Sequence, residues 1–238
     1  MKKLLLIVGL IIPAMAFSQS NDQGVIQLGL GWGIALGGST VKSTFAADTS
    51  ITGSTDTEVK GNGVGAKALY GIKFQYGFAE KISAGMYIRR EAAVYTTTYD
   101  YTSDPYDPYG GGSYGSTDIT TSGIALGIEG KFYVVNKDHF NLYFGPSVGY
   151  SSGKATLDYA DVDGSLKGLN YSIGGGLNWY WGNTVGMFVD FGYAGQSLSG
   201  EPDDIKDFNS YDDVISEYKV TGGNVFFGLG FMAKFGGN

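Results

Sequence analysis

From Ile26 to Leu36 every second residue is large and apolar: Ile26, Leu28, Leu30, Trp32, Ile34 and Leu36. Between them stand Gln27, Gly29, Gly31, Gly33 and Ala35. A period of two puts these sets on opposite faces of an extended strand. The pattern returns seven times and predicts strands over residues 24–37, 62–76, 82–96, 119–135, 140–151, 168–181, 185–197 and 223–235. Each has the roughly 9–11 residues or more that a tilted strand needs to cross a bilayer. The apolar face continues as Val64 to Tyr76, Ile124 to Val134, Leu169 to Trp181 and Val185 to Tyr193 on alternate positions. A soluble protein would cover such a face with a second layer, and no long helical period or heptad is present to build one. Lipid is the simpler cover. The chain therefore reads as all-β, an eight-stranded antiparallel up-and-down transmembrane β-barrel.

The connections alternate in length. Residues 77–81, 136–139 and 182–184 are short turns, and residues 38–61, 97–118, 152–167 and 198–222 are long loops. Three short turns and four long loops place both termini at one end. This is the layout of a bacterial outer-membrane barrel, with termini periplasmic and long loops extracellular. Phe74, Tyr76, Phe132, Phe140, Trp179, Trp181 and Phe235 gather near the short turns. Amphipathic rings suit the headgroup boundary, so these predict an aromatic girdle there.

The opposite faces carry Lys67, Lys73, Arg89, Glu91, Glu129, Lys131, Asp190 and Lys234, with many Gly and Ser. A lipocalin-like soluble barrel would be inverted, apolar inside and polar outside. Eight strands enclose an interior only wide enough for side chains. Buried charges persist when paired. A structural lumen charge network is thus expected, with a narrow gated polar path as the alternative. Centring the turn near residue 79 predicts Lys67 opposite Glu91 and Leu69 opposite Arg89, with Glu129 and Lys131 at similar depth. Arg90 departs from the pattern by pointing with the lipid face. Its place well up the third strand suits snorkelling or contact with lipopolysaccharide phosphates. A β-bulge at Arg89-Arg90 is the other expectation.

Composition narrows the class. The chain has 40 Gly, 18 Tyr and 14 Phe but no Cys, so no disulfide holds it together. A closed ladder of backbone hydrogen bonds does so instead. Lys2 and Lys3, the apolar run Leu4–Ile12 and the Ala16-Phe17-Ser18 cleavage pattern predict a signal peptide over residues 1–18 and one barrel domain over 19–238. Net charge is −7, and removing the two signal lysines makes it more negative. Nucleic acid is excluded as a partner.

The last strand turns Val225, Phe227, Leu229, Phe231, Ala233 and Phe235 one way and Phe226, Gly228, Gly230, Met232 and Lys234 the other. This resembles the C-terminal strand of outer-membrane barrels of the OmpA, OmpX and OmpW type. Leu142 to Tyr150, rich in Gly and aromatics, is similar to strands of that family. The resemblance implies assembly by periplasmic chaperones and the barrel-assembly machinery, which would read Phe227, Leu229, Phe231 and Phe235. It also implies a narrow channel or small-hydrophobe conduit as one role for the barrel. Lipid A deacylases of this barrel type use a His and a Ser near the outer leaflet, whereas the single histidine here, His139, lies in a short turn at the other end.

No catalytic, metal or cofactor-binding residue is assigned. HExxH and Cys clusters are absent. Gly110 to Gly115 lacks the Lys and strand-to-helix context of a phosphate loop. Asp161-Val162-Asp163-Gly164 lacks the remaining ligands of an EF-hand. Loop 97–118 holds Tyr99, Tyr101, Tyr106, Tyr109 and Tyr114. Loop 198–222 holds Glu201, Asp203, Asp204, Asp207, Asp212, Asp213 and Glu217. Both loops read first as a solvated surface that avoids aggregation. Tyr and Gly also make adaptable contact surfaces, so adhesion or capture of an extracellular ligand is the sharper alternative, with divalent cations near lipopolysaccharide a further one for the acidic loop. The expected role is non-enzymatic: envelope integrity or surface interaction such as adhesion. The conduit comes second and a lipid-modifying enzyme third.

Overall fold

The computed structural model describes residues 21–45, 57–100, 114–157, 162–182, 184–200 and 215–236. The expected signal peptide lies outside them. Eight strands follow one another: β1 (Ile26–Phe45), β2 (Thr57–Ala79), β3 (Ile82–Asp100), β4 (Tyr114–Lys137), β5 (Phe140–Leu157), β6 (Val162–Trp181), β7 (Val185–Gly200) and β8 (Ile215–Phe235). Each pairs antiparallel with its neighbours, and β8 closes on β1 to make a barrel. The alternation sorts as expected. Leu30, Ile34 and Ile173 are more than half exposed on the outer wall, while Ala125, Tyr133 and Lys234 are fully buried inside. This arrangement is the inverse of a soluble barrel.

The register sets the size. One rung runs Trp32, Tyr70, Arg90, Ile124, Ser152, Lys167, Ser199, Lys219 and returns to β1 at Lys42, ten residues beyond Trp32. With about 3.3 Å per residue and about 4.8 Å between strands, a shear of ten tilts the strands by about 40°. Each residue then climbs about 2.5 Å, and each step along a rung about 3 Å. Ile26 to Leu36 spans about 25 Å, the height of an outer-membrane apolar band.

The strands run further than expected into residues 38–61, 97–118, 152–167 and 198–222. Pairing of β1 with β2 continues past Gly37 and Gly65 to Phe45 and Thr57. The cause is chemical. Beyond the apolar band the outer face meets water, so Thr40, Lys60, Thr96, Thr98, Thr120, Ser152 and Lys154 replace the large apolar residues there. The greasy period vanishes while the β-propensity of Thr persists. Tyr101, Tyr106 and Tyr109, and the acidic residues from Glu201 to Asp213, lie outside the described residues.

Local irregularities matter at three places. Pairing of β2 with β3 shifts between Gly77 and Ala79. Pairing of β4 with β5 lapses where Gly130 and Lys131 face Gly145 and Pro146, and proline has no amide hydrogen for a ladder. Between β6 and β7 the turn uses Gly182 at φ 68°, a backbone that suits glycine. The turn end is strapped by the segment before β1. Asn21 Nδ2 donates to the carbonyls of Ala79 at 2.9 Å and Glu80 at 3.2 Å. Asn136 Nδ2 donates back to the Asn21 carbonyl at 2.8 Å.

Candidate functional site

The lumen holds the densest chemistry, and the period-two pattern explains why. Odd positions of β2, β3 and β4 point inward, so Lys67, Lys73, Arg89, Glu91, Glu129 and Lys131 converge, and Asp190 joins them from β7. They form two layers. In the layer nearer the loops, Lys67 Nζ donates to Glu91 Oε2 at 2.9 Å and Arg89 Nε donates to Glu91 Oε1 at 2.6 Å. Gln196 accepts from Lys67 and donates to the Tyr95 hydroxyl at 3.0 Å. Asn170 accepts from the Tyr87 hydroxyl at 2.6 Å and donates to Ser151 Oγ at 2.7 Å.

In the layer nearer the turns, Asp190 binds Lys73 Nζ and the Tyr143 hydroxyl. Glu129 accepts from Gln75 Nε2 and lies 3.7 Å from Lys131 Nζ and 4.0 Å from Lys73 Nζ. Lys131 also rests over the Tyr143 ring at 4.2 Å. Glu129 and Lys131 are thus deeper than Arg89 and Glu91, not at similar depth, because they pair with Gly85 and Ser83 at the start of β3.

The expected β2–β3 register is off by two residues. Lys67 lies opposite Ala93, Leu69 opposite Glu91 and Gly71 opposite Arg89. The register shift at Gly77/Ala79 moves the turn centre one residue along. Lys67 reaches Glu91 diagonally. Lys234 stands apart from both layers. Its Nζ donates to the Asp138 carbonyl at 3.3 Å and lies 4.3 Å from the Tyr180 ring centre. Its place at the end of β8 puts it at the turn-end mouth, below the carboxylates.

Between the layers is a cavity of about 110 Å³, lined by Tyr87, Arg89, Lys131, Asp190 and the rings of Phe188 and Phe226, among others. Above the upper layer apolar side chains dominate the lumen, with Ser39, Thr97 and Thr121 buried at the same end. Val41, Ile119, Ala155, Leu166, Leu198, Tyr218 and Val220 pack as one buried cluster. Sequence reasoning missed this plug, because all but Ile119 fall in segments read as loops. Their signal was present as a faint alternation, Val41 between Thr40 and Lys42, and Val220 between Lys219 and Thr221. Among the described residues no three His, Cys, Asp or Glu side chains converge to hold a metal ion. His139 contacts the Gly182 carbonyl at the turn end.

Residues 17–199 match the model of the outer membrane protein beta-barrel domain family. The chain belongs to this family. It is an integral protein of the bacterial outer membrane that crosses it with β-strands. Among solved structures it is similar to the outer membrane protein OprG from Pseudomonas aeruginosa, at 15% identity and a TM-score of 0.56, covering 93% of this chain and 100% of that one. It also aligns with the N-terminal β-barrel domain of Pseudomonas aeruginosa OprF at 16% identity and a TM-score of 0.38, over 90% and 98% of the two chains. Ail, the attachment invasion locus protein of Yersinia pestis, aligns at 14% identity and a TM-score of 0.34, over 88% and 99%. No curated protein matches the chain at a significant level.

Membership in an outer-membrane family gives the outer wall its solvent. Trp179, Trp181, Phe132 and Phe74 are exposed around the turn end, and Phe78 adds to them. Phe227 and Phe231 are exposed on β8, and Leu229 shares their face by register with Trp32. Arg90 is exposed, with unbroken pairing to Tyr70 and Ile124, so no bulge turns it aside. Its guanidinium lies 6.0 Å from the Tyr70 ring centre.

Proposed function

We propose that this chain is a non-enzymatic barrel with a closed lumen, serving envelope integrity or surface interaction through its loop end. One observation carries the reading: apart from the small cavity between the ionic layers, side chains fill the lumen. Two paired ionic layers sit beneath a seven-residue apolar plug. The strands also rise beyond the apolar band, β1 by nine residues past Leu36 or about 22 Å. The loop-end termini of the strands thereby stand well clear of the lipid, where a surface ligand meets them. In this reading the turn end and termini are periplasmic, and the aromatic face of β8 serves the chaperones and assembly machinery. A planar-bilayer trace of the refolded barrel is expected to show no unit conductance steps, and steady steps would overturn the closed lumen. A tag at Gly111 is expected to be reachable on intact cells and one at Lys137 hidden. The reverse result would invert the orientation.

A second reading, a conduit for small apolar solutes, is favoured by the ladder lapse at Gly130 and Pro146. Both residues border the cavity, beside Phe188 and Phe226. It requires the native barrel to speed entry of an apolar dye into vesicles, and Pro146→Val to slow it by restoring an amide hydrogen to the seam.

A further inference from the structure

On the outer wall a lysine stands nearer the apolar band than the acid of its own or the neighbouring strand. Beyond the apolar band toward the loops come Lys154, Lys167, Lys219, Lys42 and Lys60, with Arg90 just inside its edge. Strand by strand the acids come after the lysines. Glu217 is two residues beyond Lys219 on β8, and Asp118 is four residues beyond Ser122, the rung partner of Lys154. Lys154 and Lys167 are the lysines nearest the band edge, where a layer of negative charge at the membrane surface attracts them.

The rungs give heights. Arg90 lies about 4 Å below the upper edge of the apolar band, and Lys154 and Lys167 lie about 6–8 Å above it. That is the level of lipid headgroups. On β5 and β6 the register pairs Ser152 with Lys167 and Lys154 with Ser165. The four residues make a square with lysines on one diagonal and serines on the other, and both lysines are exposed. Neighbouring like charges on one face of a sheet repel. An anion between them removes the repulsion, and ammonium and hydroxyl donors suit phosphate oxygens. Below the square the exposed Tyr150, Leu169 and Tyr171 form a shelf against the acyl region. The nearest acid along these strands is Asp163, diagonal to Lys154 on the loop side.

We propose that Lys154 and Lys167, with Ser152 and Ser165, form a lateral site for a phosphate of a phosphorylated glycolipid of the outer leaflet. The apolar shelf and the height favour a phosphate tethered to acyl chains over free phosphate. Arg90, on the same rung as Ser152 and Lys167, is placed for a second anionic group of the same or a neighbouring lipid. The site rests on the orientation proposed above, in which this end is outside.

The test uses the full mature barrel refolded in phosphatidylcholine nanodiscs and titrated with fluorescent bis-phosphorylated lipid A. Lysine near an anionic lipid surface contributes about five-fold in affinity. K154Q/K167Q is therefore expected to weaken binding by about ten-fold or more, K154R/K167R to retain it, and K81Q/K137Q at the other end to leave it unchanged. Lipid A stripped of phosphate is expected to bind the native barrel as weakly as bis-phosphorylated lipid A binds K154Q/K167Q. Equal affinity of native and K154Q/K167Q barrels, or undiminished binding of dephosphorylated lipid, overturns the site. Competition by inorganic phosphate at micromolar concentration would assign it to free phosphate instead. Whole-cell maleimide labelling separates the two readings. Gly111→Cys labelled and Lys137→Cys protected upholds the orientation, so a negative titration then sinks this site alone.

Discussion

Glu91 shows what single residues do here. It holds two cations, Lys67 and Arg89, and is itself 7% exposed. Glu91→Ala leaves both cations without their carboxylate, so urea unfolding in vesicles is expected to lose about 3 kcal/mol. Lys67→Met with Glu91→Gln is expected to recover much of this, since Gln still accepts from Arg89 while the buried ammonium is gone. An unchanged midpoint for Glu91→Ala would mean that lumen water solvates the pair. The inward direction of both residues was legible from parity. Their diagonal contact was not, because a one-residue shift of a turn is invisible in the alternation. A neighbouring case is Gly127. A methyl there would meet the Tyr87 ring at 2.5 Å, which explains a glycine between Leu126 and Ile128 that the hydrophobic pattern leaves unexplained.

At the scale of an element, β4 changes its solvent partway along. Asp118, Thr120 and Ser122 are exposed above the band, and Ile124, Leu126 and Ile128 are exposed within it. Leu126→Arg is expected to destabilise the barrel in lipid by roughly 2–4 kcal/mol. Ser122→Arg, four residues up the same face, is expected to shift the unfolding midpoint little. Equal effects at the two positions would deny the boundary drawn between them. The strap before β1 is another element-scale device. Asn21→Ala removes both side-chain donors to the Ala79 and Glu80 carbonyls, and a loss of about 1–3 kcal/mol is expected in the same assay. The strap was not legible, since Asn21 gains meaning only from the turns that β2–β3 and β4–β5 bring beneath it.

At the scale of the whole molecule the eight strands form one ladder closed on itself. β3 still pairs with β4 at Asp100 and Tyr114. Replacing residues 101–113 by a short turn is therefore expected to leave refolding and its gel-mobility shift intact, with stability altered by less than about 1 kcal/mol. Failure of the shortened chain to refold would mean the tip nucleates the hairpin. The plug also belongs to this scale. It draws Val41, Ile119, Ala155, Leu166, Leu198 and Val220 from six strands.

The amino-acid pattern alone determined the strand count, the faces, the order of short and long connections and the lipid-facing band. Each follows from a period of two read within one segment, where the outer solvent is apolar and the contrast between faces is large. Only the closed barrel decided the register, the depth of each charge, the division of the lumen into two ionic layers, and the plug above them. Those depend on which strand lies across from which, and on how far each is slid along its neighbour. A shear of ten brings Trp32 and Lys42 of one strand onto one rung around the barrel. No local pattern contains that offset, because it is the sum of eight pairings that must close together.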